Sequence, residues 1–188
     1  MCPTRTHHEG QENSRIRIEA ATTDELRRGM VNVRWEVFVD EQNVPMVLEI
    51  DARDYRSDVT HLVAIDEGST DTFPQAACVC QSDLVVGTVR IIPDGAHHYH
   101  LGRLAVLARA RGQSVGAALV EAVHDYVRML TPAGLHARIV LDAQLQARGF
   151  YERLGYRVTS EQTFWDAGIE HCEMDINIDG GSLGERSD

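Results

Sequence analysis

The chain has 188 residues, 43% of them hydrophobic and 25% charged, which is the make-up of one globular domain able to bury a core without staples. All 18 basic residues are arginine, so a Walker-A lysine, a Schiff-base lysine and a pyridoxal-phosphate enzyme of the usual kind are excluded. The net charge of -11 argues against nonspecific binding to nucleic acid or an anionic membrane, and leaves room for one local basic pocket.

In chain order, residues 1–14 are polar, lack an apolar signal core and read as a flexible tail. Ile16–Ala20 alternates and predicts a strand. Thr22 and Glu25 have capping-box spacing and predict a helix start. Leu26, Met30, Val33 and Val37 then recur on one face of a helix that ends near Phe38. Residues 39–58 show no periodicity and read as a loop, and long ordered loops are often functional. His61–Asp66 reads as a strand and 68–75 as a loop; 76–81 and 84–92 read as antiparallel strands, with Tyr99–Val106 next. Val115, Leu119, Val123, Tyr126, Val127 and Leu130 form the apolar stripe of a helix broken at 131–134. Arg138–Leu141 predicts a short strand, and 144–154 a helix with Gly155 as its C′ residue. Tyr156–Val158 and His171–Ile178 read as a closing hairpin, and 179–188 as a second tail. The expectation is a single domain over 15–178, a mixed sheet with helices packed on it, α/β or α+β.

Cys2, Cys78, Cys80 and Cys172 form no spaced framework and no CxxC, which predicts a reduced, cytoplasmic protein. His98 and His100 share a strand face, but no carboxylate or cysteine close in sequence completes a metal site. They read as ordinary strand residues at a solvated hairpin end, and no metal is expected.

The sharpest local signal is Arg111-Gly112-Gln113-Ser114-Val115-Gly116-Ala117, after a strand and opening a helix. Free N–H groups and the helix dipole at such a turn bind phosphate oxygens, and Arg111 can add a charge-assisted contact. The turn resembles the pyrophosphate loop of the GCN5-related N-acetyltransferases, Arg/Gln-x-x-Gly-x-Gly/Ala, with Ser114 where that family prefers glycine. Gln144 through Tyr156, with Ala147, Tyr151 and Gly155, resembles the family's Asn-x-x-Ala-x-x-x-Tyr and Gly-aromatic pattern, Gln144 replacing asparagine. Val37-Phe38-Val39-Asp40-Glu41-Gln42-Asn43-Val44-Pro45, Glu49-x-Asp51-x-x-Asp54 and Gly168-Ile169-Glu170-His171-x-x-Met174 resemble a bacterial subgroup of the ElaA and YjcF type. The resemblance runs from about residue 15 to 176.

It implies a mixed, mostly antiparallel sheet, splayed central parallel strands at 102–106 and 138–142, and helices on both faces. The pantetheine arm of acetyl-CoA would lie in the gap against Leu104, Ala105 and Val106. Arg111, Gly112, Gln113, Ser114, Val115, Gly116 and Gln144 complete the implied cofactor site. Transfer of the acetyl group to a primary amine of a small molecule would be direct. Tyr151 matches the tyrosine that protonates the leaving sulfur. Glu41, Glu49, Asp51, Asp54, His61 and His171 are candidates for the base, with Glu41 preferred, and a water relay is an alternative. Glu41, Gln42, His61 and His171 are the expected acceptor side. Crowded acids at 41–54 suggest a cationic amine, unless Arg34, Arg53 and Arg56 pair with them. No nucleic-acid or membrane partner is expected, and a homodimer is compatible. The other reading is a noncatalytic acyl-CoA-binding module on the same fold.

Overall fold

The computed structural model describes residues 16–49, 51–68 and 81–181. Its elements are β1 (Ile16–Ala20), α1 (Asp24–Arg34), a π-helical turn (Trp35–Glu41), α2 (Met46–Glu49), β2 (Thr60–Asp66), β3 (Val85–Pro93), β4 (His98–Val106), α3 (Val115–Leu130), β5 (His136–Gln144), α4 (Arg148–Arg153), β6 (Arg157–Asp166) and β7 (Ile169–Asp179). The seven strands form one sheet in the order β1-β2-β3-β4-β5-β7-β6. Every pairing is antiparallel except β4 with β5.

Two helices sandwich the sheet because alternate strand residues face opposite ways. Val63, Ile65 and Val85 pack with Leu26, Met30 and Val33 of α1 on one face. Leu62, Ala64 and Val86 pack with Leu119, Val123 and Val127 of α3 on the other. On α3, Val120 is buried and Leu130 is 46% exposed, so the stripe lies further round than its spacing suggests.

Several boundaries differ from the sequence expectation. Thr23, not Thr22, caps α1: its Oγ1 accepts from Leu26 N–H at 3.3 Å. The helix does not stop at Phe38 but widens into the π turn to Glu41, and part of the expected loop is helical at Met46–Glu49 and Ala52–Tyr55. The strand β5 runs to Gln144, so the following helix begins later, with a 3-10 turn at Leu145–Ala147. Exposed polar residues alternating along β5 hid its length. The expected tail 1–14 and the expected strand at 76–81, apart from Gln81 in a 3-10 turn, lie outside the described residues.

Gly29 is where α1 approaches the sheet most closely. A Cβ there would sit 2.5 Å from Val85 Cγ2 and 2.8 Å from the Ser82 carbonyl oxygen. Gly29→Ala gains about 1 kcal/mol of helix propensity but forces α1 off β3, which typically costs about 1–3 kcal/mol. The expected outcome is a lower urea midpoint with unchanged slope. An equal or higher midpoint would mean that α1 can retreat freely.

Candidate active site

The parallel pairing of β4 with β5 is brief: His98–Arg138, Tyr99–Ile139 and His100–Val140. Beyond His100 the strands part, while β5 stays with β7 through Gln144–His171. The cause is a bulge in β4. Arg90 pairs with Gly102 and Thr88 with Ala105, so β4 holds one residue more than β3 between the two pairs. Arg103 takes φ +53 inside this bulge. An extra residue bends its strand and increases its twist. Residues 101–106 therefore have no β5 partner along the edge that faces the gap.

A cleft of about 1190 Å³ follows that gap. Its wide end is the turn after β4, where Arg111, Gly112, Ser114, Val115 and Gly116 line it; Gln113 does not, and its Nε2 donates to the Arg109 carbonyl. Ser114 adopts the left-handed conformation, φ +60, the one that favours the glycine expected there. A Cβ on Gly116 would touch Phe150, at 3.5 Å, and Val106, whereas one on Gly112 would meet nothing within 4 Å. Arg111 Nε donates to the Val106 carbonyl at 2.9 Å.

Two consecutive residues at the end of the π turn cross the wide end. Glu41 accepts from Arg111 Nη2 at 2.6 Å, and Gln42 Oε1 accepts from Gln144 Nε2 at 2.9 Å. Glu41 is thus tied to the turn rather than standing free. Leu104, Ala105 and Val106 line the cleft, as do Gln144 and Tyr151. The Tyr151 ring is buried edge-on between Phe150 and Tyr156, and burial pushes its hydroxyl well above the ordinary tyrosine range. It stays protonated at any working pH.

The closed end is a network of charge in which Arg34 and Arg53 pair with the acids, the alternative weighed above, and Arg90 and Arg103 join them. Arg34 is ion-paired to Glu49 and reaches Asp54 Oδ2 at 2.9 Å. Arg90 Nη1 donates to Asp51 at 3.1 Å and Asp54 at 2.8 Å. Arg53 holds Asp51 at 2.8 Å, and Arg103 lies 3.2 Å from Glu49. The acids expected to attract a cation are therefore each matched by arginine. Burial opposes the charge on Asp51, but the Arg53 N–H and the Arg90 and Arg53 guanidiniums win and hold its carboxyl at about 2.

His61 does not line the cleft. It is buried behind this network, 3.7 Å from Asp54, and neither ring nitrogen has a hydrogen-bond partner. His171 does line it; its Nδ1 donates to the Ile169 carbonyl at 2.8 Å, which leaves Nε2 as the acceptor. His100, read above as a solvated hairpin residue, instead lines the cleft where β4 and β5 part, 3.8 Å from Asp142. Burial lowers its proton affinity, with Asp142 opposing and Arg90 and Arg53 assisting. No sequence signal joined His100 to Asp142, because they lie on strands separated by a whole helix.

A family model for the acetyltransferase (GNAT) domain matches residues 73–178. The uncharacterised N-acetyltransferase YjcF of Bacillus subtilis (strain 168) is 35% identical over 155 residues, covering 82% of this chain and 94% of its own. Among solved structures, Escherichia coli ElaA superposes with a TM-score of 0.67 at 22% identity, over 85% of this chain and 98% of its own. An aminoglycoside 6'-N-acetyltransferase complexed with coenzyme A superposes with a TM-score of 0.60 at 15% identity, over 92% and 99%. The chain belongs to the GNAT acetyltransferases. It is an N-acetyltransferase with the mixed sheet of that superfamily.

The buried network makes stability depend on pH. Burial lowers the proton affinity of His61 in the fold, whereas the unfolded chain binds that proton near 6.5. Stability is full above the unfolded value and falls as pH drops below it, with slope up to about 1.4 kcal/mol per pH unit for one proton. Asp51 and Asp54 are lowered too, so a second loss runs from about pH 5 towards 2. Urea midpoints should fall from pH 7 to 5.5, and His61→Gln should reduce that slope. An unchanged slope would mean His61 protonates as readily folded as unfolded.

Proposed function

We propose that this enzyme transfers the acetyl group of acetyl-CoA directly to a primary amine of a small molecule in the cytoplasm. The observation that carries the reading is one continuous path: an unpaired β4 edge opens at His100 and leads to the arginine- and glycine-bearing turn at 111–116. Six residues of strand span about 20 Å, long enough for an extended arm to lie along them. Leu104, Ala105 and Val106 would present backbone groups to it, and the turn with Arg111 would hold its phosphates. Gln144 and Gln42 would close over the arm from the β5 side.

Acetyl-CoA supplies the acyl carbon, which bonds to the amine nitrogen as its bond to sulfur breaks. Tyr151 would then give its proton to the departing sulfur; burial keeps its hydroxyl protonated until the thiolate forms. Glu41 was the preferred base from sequence, but Arg111 holds it at the phosphate end, where it is placed to orient that guanidinium. We assign the amine's proton to His100, which stands where the gap closes with Asp142 beside it. Lowered by burial, the ring is neutral and able to accept a proton at neutral pH. His171 lines the same cleft with Nε2 as acceptor and fits the acceptor wall.

Tyr151→Phe removes one hydroxyl and keeps the ring packing. The expected rate loss is about 10²–10⁴-fold, roughly 3–5 kcal/mol of transition-state stabilisation, measured as CoA release when chemistry limits. A rate within a few-fold of wild type would reduce Tyr151 to packing. Tight acetyl-CoA binding with no CoA release to any amine would instead support a noncatalytic module.

The pH profile tests the base. With His100 neutral down to below its ordinary 6.5, kcat/KM should hold steady at neutral pH and fall only on the acid side. In His100→Gln the level should drop and that acid limb should vanish, while Glu41→Gln should keep it. Loss of the limb in Glu41→Gln alone would return the role to the carboxylate.

A further inference from the structure

We propose that the acceptor is an amino carboxylate: Arg53, Arg90 and Arg103 bind its carboxylate at the closed end of the cleft, and its amine faces His100 and Asp142. The inference rests on the acetyl-transfer reading above and adds the class of acceptor.

The first observation is an unmatched positive charge. Among the described residues, Arg34, Arg53, Arg90 and Arg103 interlock with three carboxylates, those of Glu49, Asp51 and Asp54. His61, the remaining ring against Asp54, is held neutral by burial. Arg34 and Arg90 are withdrawn from water and need their pairing, while the guanidinium in excess, on the exposed Arg53, is where a monoanion can be met; a phosphate dianion would exceed that single charge.

The second observation is that three arginines with N–H groups to spare line the cleft. Arg90 is 3% exposed, and its Nε is buried without a partner, which leaves Nη2 as its donor for a ligand. Its Nη1 is taken by two aspartates, and its Nη2 lies 4.0 Å from where a Gly102 Cβ would stand. Arg103 spends Nη2 on the Leu48 carbonyl, at 3.0 Å, while its Nε ion pair with Glu49 is not aligned as a hydrogen bond. Arg53, 59% exposed at its side chain, uses Nε on Asp51. All three arginines line the cleft. Planar guanidiniums with free N–H pairs are matched in geometry to a carboxylate.

The third observation is Gly102 itself. Its φ is not positive, so the backbone does not demand glycine. A Cβ there would contact only His100 Cδ2, at 3.9 Å, and Arg90 Nη2. The missing side chain leaves open the floor between those two groups. Across it, on β5, Asp142 supplies the negative charge that favours an ammonium, next to the ring that takes its proton. Positive floor and negative wall, side by side, suit a ligand that carries both charges.

The test is CoA release with the common α-amino acids and β-alanine, each against its carboxamide, its decarboxylated amine and the matching aminoalkyl phosphate. The amino carboxylate should exceed its carboxamide at least tenfold in kcat/KM. Arg53→Gln, at an exposed position that tolerates change, should collapse that ratio mainly through KM. Gly102→Val should raise acceptor KM by a larger factor than it raises the KM for acetyl-CoA. Equal or better turnover of carboxamide or decarboxylated amine, or a ratio that survives Arg53→Gln, would overturn the proposal. A preference for the phosphate would overturn the choice of carboxylate. If no amine releases CoA, acetyl transfer to small amines fails by itself. Calorimetric titration of the same compounds into the CoA-loaded protein then decides the charge preference, and equal affinities overturn it.

Discussion

The bulge in β4 is the constraint on which the active cleft depends. Without it, β4 and β5 would continue their parallel ladder past His100, and the gap would close with ordinary hydrogen bonds. The backbone has to take a left-handed residue there, and that residue is arginine, with φ +53. Such a conformation costs roughly 1–2 kcal/mol for a residue with a side chain. The Arg103 side chain reaches back to the Leu48 carbonyl and Glu49, so the strained residue is tied to the helical segment after the π turn. Strain in the strand and contact with the segment are one feature: each holds the other in place.

The same segment supplies both ends of the cleft. Between Trp35 and Tyr55 the chain gives Glu41 and Gln42 to the phosphate end, and Glu49, Asp51, Arg53 and Asp54 to the closed end. A π turn starts this path, and wide turns of that kind are common at functional sites. The charges it brings lie against Arg34 and Arg90, both almost fully buried. A buried ion network is weak evidence for stability, since desolvation can match the Coulomb gain. What it does give is position: planar guanidiniums fix carboxylates in two directions at once, which a lysine would not.

Much of this fold was legible because it rests on local pattern. Leu26, Met30 and Val33 mark α1 by spacing, and Gly155, with φ +92, ends α4 as its place after that helix suggests. Arg111 and Gly116 announced the turn. The bulge was not legible, because an arginine at positive φ carries none of the glycine signal that usually marks such a site. Nearness in sequence offered Arg34 and Arg53 as partners for the acids of the segment after the π turn, but did not offer Arg90 for Asp51 and Asp54. Those contacts join segments 36 and 39 residues apart, and no spacing rule connects them. β6 was seen only in part, since it is an exposed edge strand with no buried face to set a pattern.

The two ends of the cleft also differ in how charge is handled, and that difference orders their roles. At the phosphate end, Glu41 and Arg111 are both about a third or more exposed, so their pairing is screened by water and worth little. A phosphate can take Arg111 from Glu41 at small cost. At the closed end, Arg90 is dry and fixed by two aspartates, and it cannot move to meet a ligand without breaking buried pairs. On the proposed reading, a cofactor would enter by exchange at the yielding end and the acceptor would have to fit the rigid one, which would put selectivity at the arginine floor. A turn of backbone N–H groups would recognise any ligand with the same diphosphate, whereas Arg34 and Arg90, locked by Glu49, Asp51 and Asp54, present one fixed arrangement of charge and would distinguish one amine from another.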